Sequence, residues 1–129
     1  DVAVANGMHL LGWSYAGQPG ARLGDSLMVR LFWKADRPVS FDYSAFVRLR
    51  GPEGQLVHGE DHGPGALIGF PSTRWQLGEV IPDDWSVPLS RSRRSGSYAI
   101  EVGVYDYRDL KPALSTAGEP IVVLGTERL

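Results

Sequence analysis

Hydrophobic and polar positions alternate along much of this chain. Leu27, Val29, Leu31 and Trp33 alternate with Met28, Arg30, Phe32 and Lys34. Tyr43, Ala45, Val47 and Leu49 alternate with Ser44, Phe46, Arg48 and Arg50, and Tyr98, Ile100, Val102 and Val104 with Ala99, Glu101 and Gly103. A period of two places successive side chains on opposite faces of an extended backbone, so each run predicts a strand with one face inward. Less regular runs predict further strands around Met8–Tyr15, Gln55–His62, Glu79–Leu89 and Pro120–Thr126. Breakers separate them at 17–20, 36–38, 51–54, 63–65 and 94–96. In Gly51-Pro52-Glu53-Gly54, proline presets the first turn φ and glycine supplies the positive one, which predicts a hairpin. No window carries a sustained 3.6-residue apolar stripe, leaving helix to a turn near Leu67 or Leu110. Short antiparallel strands at this spacing imply an all-β, two-sheet antiparallel sandwich of immunoglobulin-like type, with about seven to nine strands. The first few residues and Arg108–Glu119 are expected to be the least ordered, because periodicity is lost there.

The 129 residues have the length of one domain, so residues 1–129 are expected to form a single sandwich. A chain of this size buries roughly two thirds of its unfolded surface without needing staples. Absence of cysteine excludes disulfides, thiolate nucleophiles and cysteine-bound metals. A net charge of −2 lacks the basic footprint of a nucleic-acid binder. Runs such as Ile121–Leu124 are too short to span a bilayer, so direct membrane insertion is not expected. Eleven arginines against two lysines are read as the mark of a GC-rich bacterial genome rather than of function. A start at Asp1-Val2-Ala3 without methionine reads as a fragment of a longer protein.

Candidate chemistry is sparse. On a strand, His58, Glu60 and His62 share one face and form a weak candidate for a divalent metal, against the plainer reading of a polar edge strand. No serine has a recognisable His and Asp around it, and no phosphate-cradling glycine loop precedes a helix. The adjacent carboxylates Asp83-Asp84 and Glu60-Asp61 point to opposite faces of any strand, so neither is a natural acid–base couple. Enzymatic activity and a cofactor are not expected. Arg74-Trp75 has two readings: a stacking platform with a guanidinium fork, or a tryptophan plugging one end of the sandwich while Arg74 pairs with Asp61, Asp83 or Asp106. Arg91, Arg93 and Arg94 lie in a serine-rich turn, read as solvated. If the strands 27–34 and 43–50 form a hairpin, Phe32 and Phe46 fall on one outward face flanked by Arg30 and Arg48, a candidate contact surface unless the chain's own terminal strand covers it.

Gly24-Asp25 entering Leu27 to Trp33, Phe46-Val47, Gly51-Pro52-x-Gly54, Pro71-Ser72-Thr73-Arg74-Trp75, Gly78-Glu79-Val80, and Gly96-x-Tyr98 leading into Glu101-Val102-Gly103-Val104-Tyr105-Asp106 form a recurring pattern. From about Leu11 onward the chain resembles the β-sandwich domain at the C-terminus of bacterial polytopic membrane proteins similar to dolichyl-phosphate-mannose-type glycosyltransferases. That resemblance implies a non-catalytic accessory domain on the extracytoplasmic side of a bacterial membrane. Its partner would be the parent membrane protein or another protein, and possibly a glycan. It carries no catalytic residue onto these positions, and Arg108-Asp109-Leu110-Lys111 departs from the family's acidic loop after Tyr105-Asp106. Phe41-Asp42-Tyr43, the Gly-x-x-Gly hairpin and Gly96-x-Tyr98 also resemble bacterial intracellular proteinase-inhibitor domains. A stand-alone carbohydrate- or protein-binding module and an inhibitor-like domain are therefore the alternatives.

Overall fold

A computed structural model describes residues 2–5, 7–15, 26–39, 43–89, 94–106, 108–112 and 122–128. They form nine strands: β1 (Val2–Ala5), β2 (Met8–Tyr15), β3 (Ser26–Ala35), β4 (Ser44–Arg50), β5 (Leu56–His62), β6 (Ile81–Pro88), β7 (Ser97–Asp106), β8 (Lys111–Pro112) and β9 (Val122–Arg128). Two sheets result, one ordered β1-β2-β3-β6 and the other β5-β4-β7, with β8 and β9 both pairing β7. Every pairing is antiparallel. The architecture is the expected two-sheet sandwich, with helix among the described residues limited to single 3-10 turns at Ala66–Ile68 and Ser72–Arg74. Among the described residues no helix is long and apolar enough to cross a membrane.

Side-chain parity sets the core. Leu27, Val29, Leu31 and Trp33 from one sheet meet Val47, Leu49, Ile100, Val102 and Val104 from the other, all nearly inaccessible. The inner row of β6 is Ile81, Asp83, Trp85 and Val87, so a carboxylate stands in an otherwise apolar line. The hairpin at Gly51–Gln55 closes with Gly51 N–H donating to Gln55 O at 2.8 Å, and Gly54 takes φ 78°, where a side chain would be strained.

One expectation requires correction. Residues 27–34 and 43–50 do not form a hairpin: β3 pairs with β2 and β6, while β4 pairs with β5 and β7 in the opposite sheet. Phe32 with Arg30 and Phe46 with Arg48 consequently lie on the two outer faces of the sandwich and share no surface. Near the N-terminus, Val2–Ala5 is paired, its register running from Val2 opposite Leu10 to Ala5 opposite Met8. Within the stretch expected to lack order, Lys111–Pro112 pairs β7 after a turn in which Leu110 adopts φ 60°. Residues 113–121 and the arginines Arg91 and Arg93 lie outside the described residues.

Candidate functional site

The seam where the outermost strands β5 and β6 face each other holds the densest polar chemistry. Pairing β5 with β4 sets His58 opposite Leu49, Glu60 opposite Val47 and His62 opposite Ala45. The three polar residues therefore occupy the inward face of β5, as its alternation predicts. Because β5 is the last strand of its sheet, this face covers the flank of β6 rather than the middle of the core. His62 lies flat on Trp85, with ring centroids 3.5 Å apart and planes 16° from parallel.

Asp83 organises the seam. Its Oδ2 accepts from Trp33 Nε1 at 3.0 Å and Trp85 Nε1 at 2.8 Å, while Oδ1 accepts from His62 Nε2 at 3.0 Å and the Gly65 backbone N–H at 3.2 Å. A carboxylate only accepts, so Nε2 is the ring nitrogen with which His62 donates to Asp83. Its side chain is only 1% exposed, so four donors compensate the loss of water around the charge. The next connection is fixed in the same way. Trp75, 6% exposed, donates Nε1–H to Phe70 O at 2.7 Å and packs 6.4 Å from Trp33, while Tyr43 N–H donates to Ser72 Oγ at 3.2 Å.

Beside this sealed network the seam opens into a cleft of 320 Å³, near the lower end of the roughly 300–1,000 Å³ typical of small-ligand sites. Glu60 and His62 form one wall, Asp84, Trp85, Ser86 and Pro88 of β6 the other, with Met28 of β3 and Leu67 of the first 3-10 turn at the margins. Asp84 and Asp83 point to opposite faces of β6, one outward and one inward. Across the ladder Arg30 stands directly opposite Asp84 and clamps it with two bonds, Nε to Oδ1 at 2.6 Å and Nη2 to Oδ2 at 2.9 Å. The hydrogen bond from Arg30 holds the Asp84 carboxyl below the usual carboxylate range despite some desolvation. Glu60 Oε1 lies 3.0 Å from His58 Nε2. The cleft thus offers carboxylate and hydroxyl oxygens beside the His62 ring and the apolar side chains of Met28 and Leu67.

The remaining candidates are distributed elsewhere. His58, Glu60 and His62 do not converge: His62 turns to Asp83 while His58 meets Glu60, and among the described residues no group of three or more His, Asp or Glu side chains could hold a metal ion. Arg74 is exposed and has no acidic partner among the described residues, contrary to expectation; Asp83 is committed to the seam, Asp61 accepts from Tyr105 Oη at 2.8 Å, and Asp106 binds Arg108. Arg94, between β6 and β7, pairs at 2.6 Å with Glu53 of the Gly51–Gln55 turn.

Phe46 is buried and packs within its own sheet. It stands opposite Gly103 on β7, where any Cβ would run into its ring, and the Arg48 guanidinium covers it 3.9 Å from the ring centroid. The aromatic fills a gap in the outer face that glycine leaves, a packing role. Tyr105 stacks beside Phe46 at 6.4 Å. A Ser44 hydrogen bond lowers the Tyr105 pKa, but desolvation and the neighbouring Asp61 outweigh it and leave the phenol above its ordinary value. Phe32 is half-buried between Gly12 and Pro82 in register. Neither ring forms an open apolar platform.

Asp83 and the cleft around it were not foreseen. The signal was present in Ile81-x-Asp83-x-Trp85-x-Val87, an inward row with one carboxylate in it, but nothing local reveals that two indoles, an imidazole and a backbone amide would meet there.

In fold, the chain is an antiparallel β-sandwich. Among solved structures it is similar to the C-terminal domain of Wzt, at a TM-score of 0.61 and 16% identity, covering 100% of this chain and 84% of the other. No protein-family model and no curated protein sequence matches it.

Proposed function

We propose that this chain is a non-catalytic, glycan-binding accessory domain, carried on the extracytoplasmic side of the membrane by a bacterial membrane protein of glycosyltransferase type, and that the β5–β6 cleft is its binding site. The observation that carries the reading is the cleft itself: a ligand-sized recess in which Glu60, Asp84 and Ser86 face a space edged by Met28 and Leu67, with Trp85 buried beneath His62. Sugars present the complementary chemistry, with hydroxyl donors around the ring and C–H faces above and below it. The accessory role is supported by the sequence resemblance and by the likeness in fold to a domain that is itself the terminal part of a longer protein. A binding role without chemistry is supported by the state of the carboxylates. Asp84 is clamped by Arg30 and held ionised, which suits an acceptor and not a proton donor.

Ser86 is exposed on β6 and lines the cleft, so an indole at this position fills the recess without entering the core. Ser86→Trp is expected to retain the melting temperature within a few degrees and to abolish binding of glycans that the unaltered chain retains on an array. Undiminished binding by a folded Ser86→Trp variant would place the site elsewhere.

A further inference from the structure

We infer that the β5–β6 cleft selects its ligand by charge, admitting neutral or amine-bearing sugar residues and rejecting those carrying carboxylate, sulfate or phosphate. The inference rests on the glycan-binding reading above and specifies the class of glycan.

Acceptors dominate the cleft. Glu60 and Asp84 bring two carboxylates to its opposite walls, Ser86 adds a hydroxyl, and Asp83 lies directly behind His62. Most of the donors around the cleft are turned to carboxylates. Arg30 turns its Nε and Nη2 edge to Asp84, His58 Nε2 meets Glu60, His62 Nε2 faces Asp83, and the Trp33 and Trp85 indole N–H groups are turned inward to the same Asp83. No lysine or arginine lines the recess. The local count is three carboxylates against one guanidinium, and that guanidinium holds Asp84 in its charged form.

An entering anion therefore meets like charge at short range with little beyond the Ser86 hydroxyl to replace its lost water, which is unfavourable on both counts. A hydroxyl meets an acceptor still able to take further bonds, since each carboxylate oxygen has two lone-pair directions and only one is used by Arg30 or His58. An ammonium gains the same hydrogen bonds strengthened by charge. The committed donors thus act as selectivity elements by being unavailable.

The test applies the full chain to an array holding neutral, amino, uronic, sulfated and phosphorylated glycans, followed by titration calorimetry on the retained ones. Retention is expected to be confined to neutral and amine-bearing glycans, with the preference for amines shrinking as salt is raised from low to about 0.5 M. Glu60→Gln and Asp84→Asn each keep the shape of the wall and remove a charge, so each is expected to weaken an amine-bearing ligand by about tenfold or more. The folded state of both variants is checked by melting temperature. Equal or tighter retention of uronic or phosphorylated glycans would overturn the charge selection while leaving glycan binding intact. Absence of retention for every glycan would overturn both, and unchanged affinity in both folded variants would overturn the assignment of these carboxylates.

Discussion

Replacing Asp83 by alanine is expected to destabilise the domain by about 3–5 kcal/mol, because it removes one acceptor and strands several donors. The indole N–H groups of Trp33 and Trp85, His62 Nε2 and the Gly65 amide all terminate on this carboxylate. An unsatisfied buried donor costs about 1–3 kcal/mol, and the four do not add fully because those nearest the cleft regain water. Asp83→Asn is the informative companion. It preserves volume and one acceptor oxygen but turns an NH2 toward groups that are themselves donors, so an intermediate loss is expected. Chemical denaturation of the three proteins checks this order; equal stability of wild type and Asp83→Ala would show that the network contributes nothing to folding.

The second large effect is expected at Trp33, where replacement by alanine should cost about 4 kcal/mol or more. The side chain is wholly inaccessible, packs against Trp75 and ties β3 to β6 through Asp83. Truncating a buried aromatic removes its transfer energy and leaves a cavity, together worth about 3–5 kcal/mol. Trp33→Phe separates the contributions: it retains most of the ring contact and loses the N–H, so a loss of about 1–2 kcal/mol is expected. In an Asp83→Ala background Trp33→Phe should cost less than it does alone, since its hydrogen bond has already gone. Additive losses in that double-mutant cycle would contradict direct coupling of the two residues.

Strands and their faces were legible because alternation is a local property. All nine residues expected to face inward from β3, β4 and β7 do so, and the weaker runs became β2, β5, β6 and β9. Partnership between strands was not legible. Parity states which side of a strand is inward but not which neighbour it takes, and the chain leaves one sheet after β3 and enters the other at β4. The supposed surface shared by Phe32 and Phe46 depended wholly on that partnership. Phe46 was misread for a related reason: an aromatic at an outward position looks exposed until the glycine opposite it, Gly103, is known. The shared face of His58, Glu60 and His62 was legible, as was the reading of a polar edge strand; that this edge faces β6 was not. Asp83 and Trp85 reach it from about twenty residues away in sequence, a juxtaposition created by the fold alone.

Whether the cleft is a glycan site is tested most directly by backbone amide chemical shifts of the isotope-labelled chain, titrated with a neutral oligosaccharide retained on the array. Shifts are predicted to concentrate at Glu60, His62 and Leu67 and along Asp84, Trp85 and Ser86, with little change at Arg48, Tyr105 or Val123. Perturbations confined to the outer face around Arg48 and Tyr105, or to the groove between Trp13 and Val123, would contradict the account.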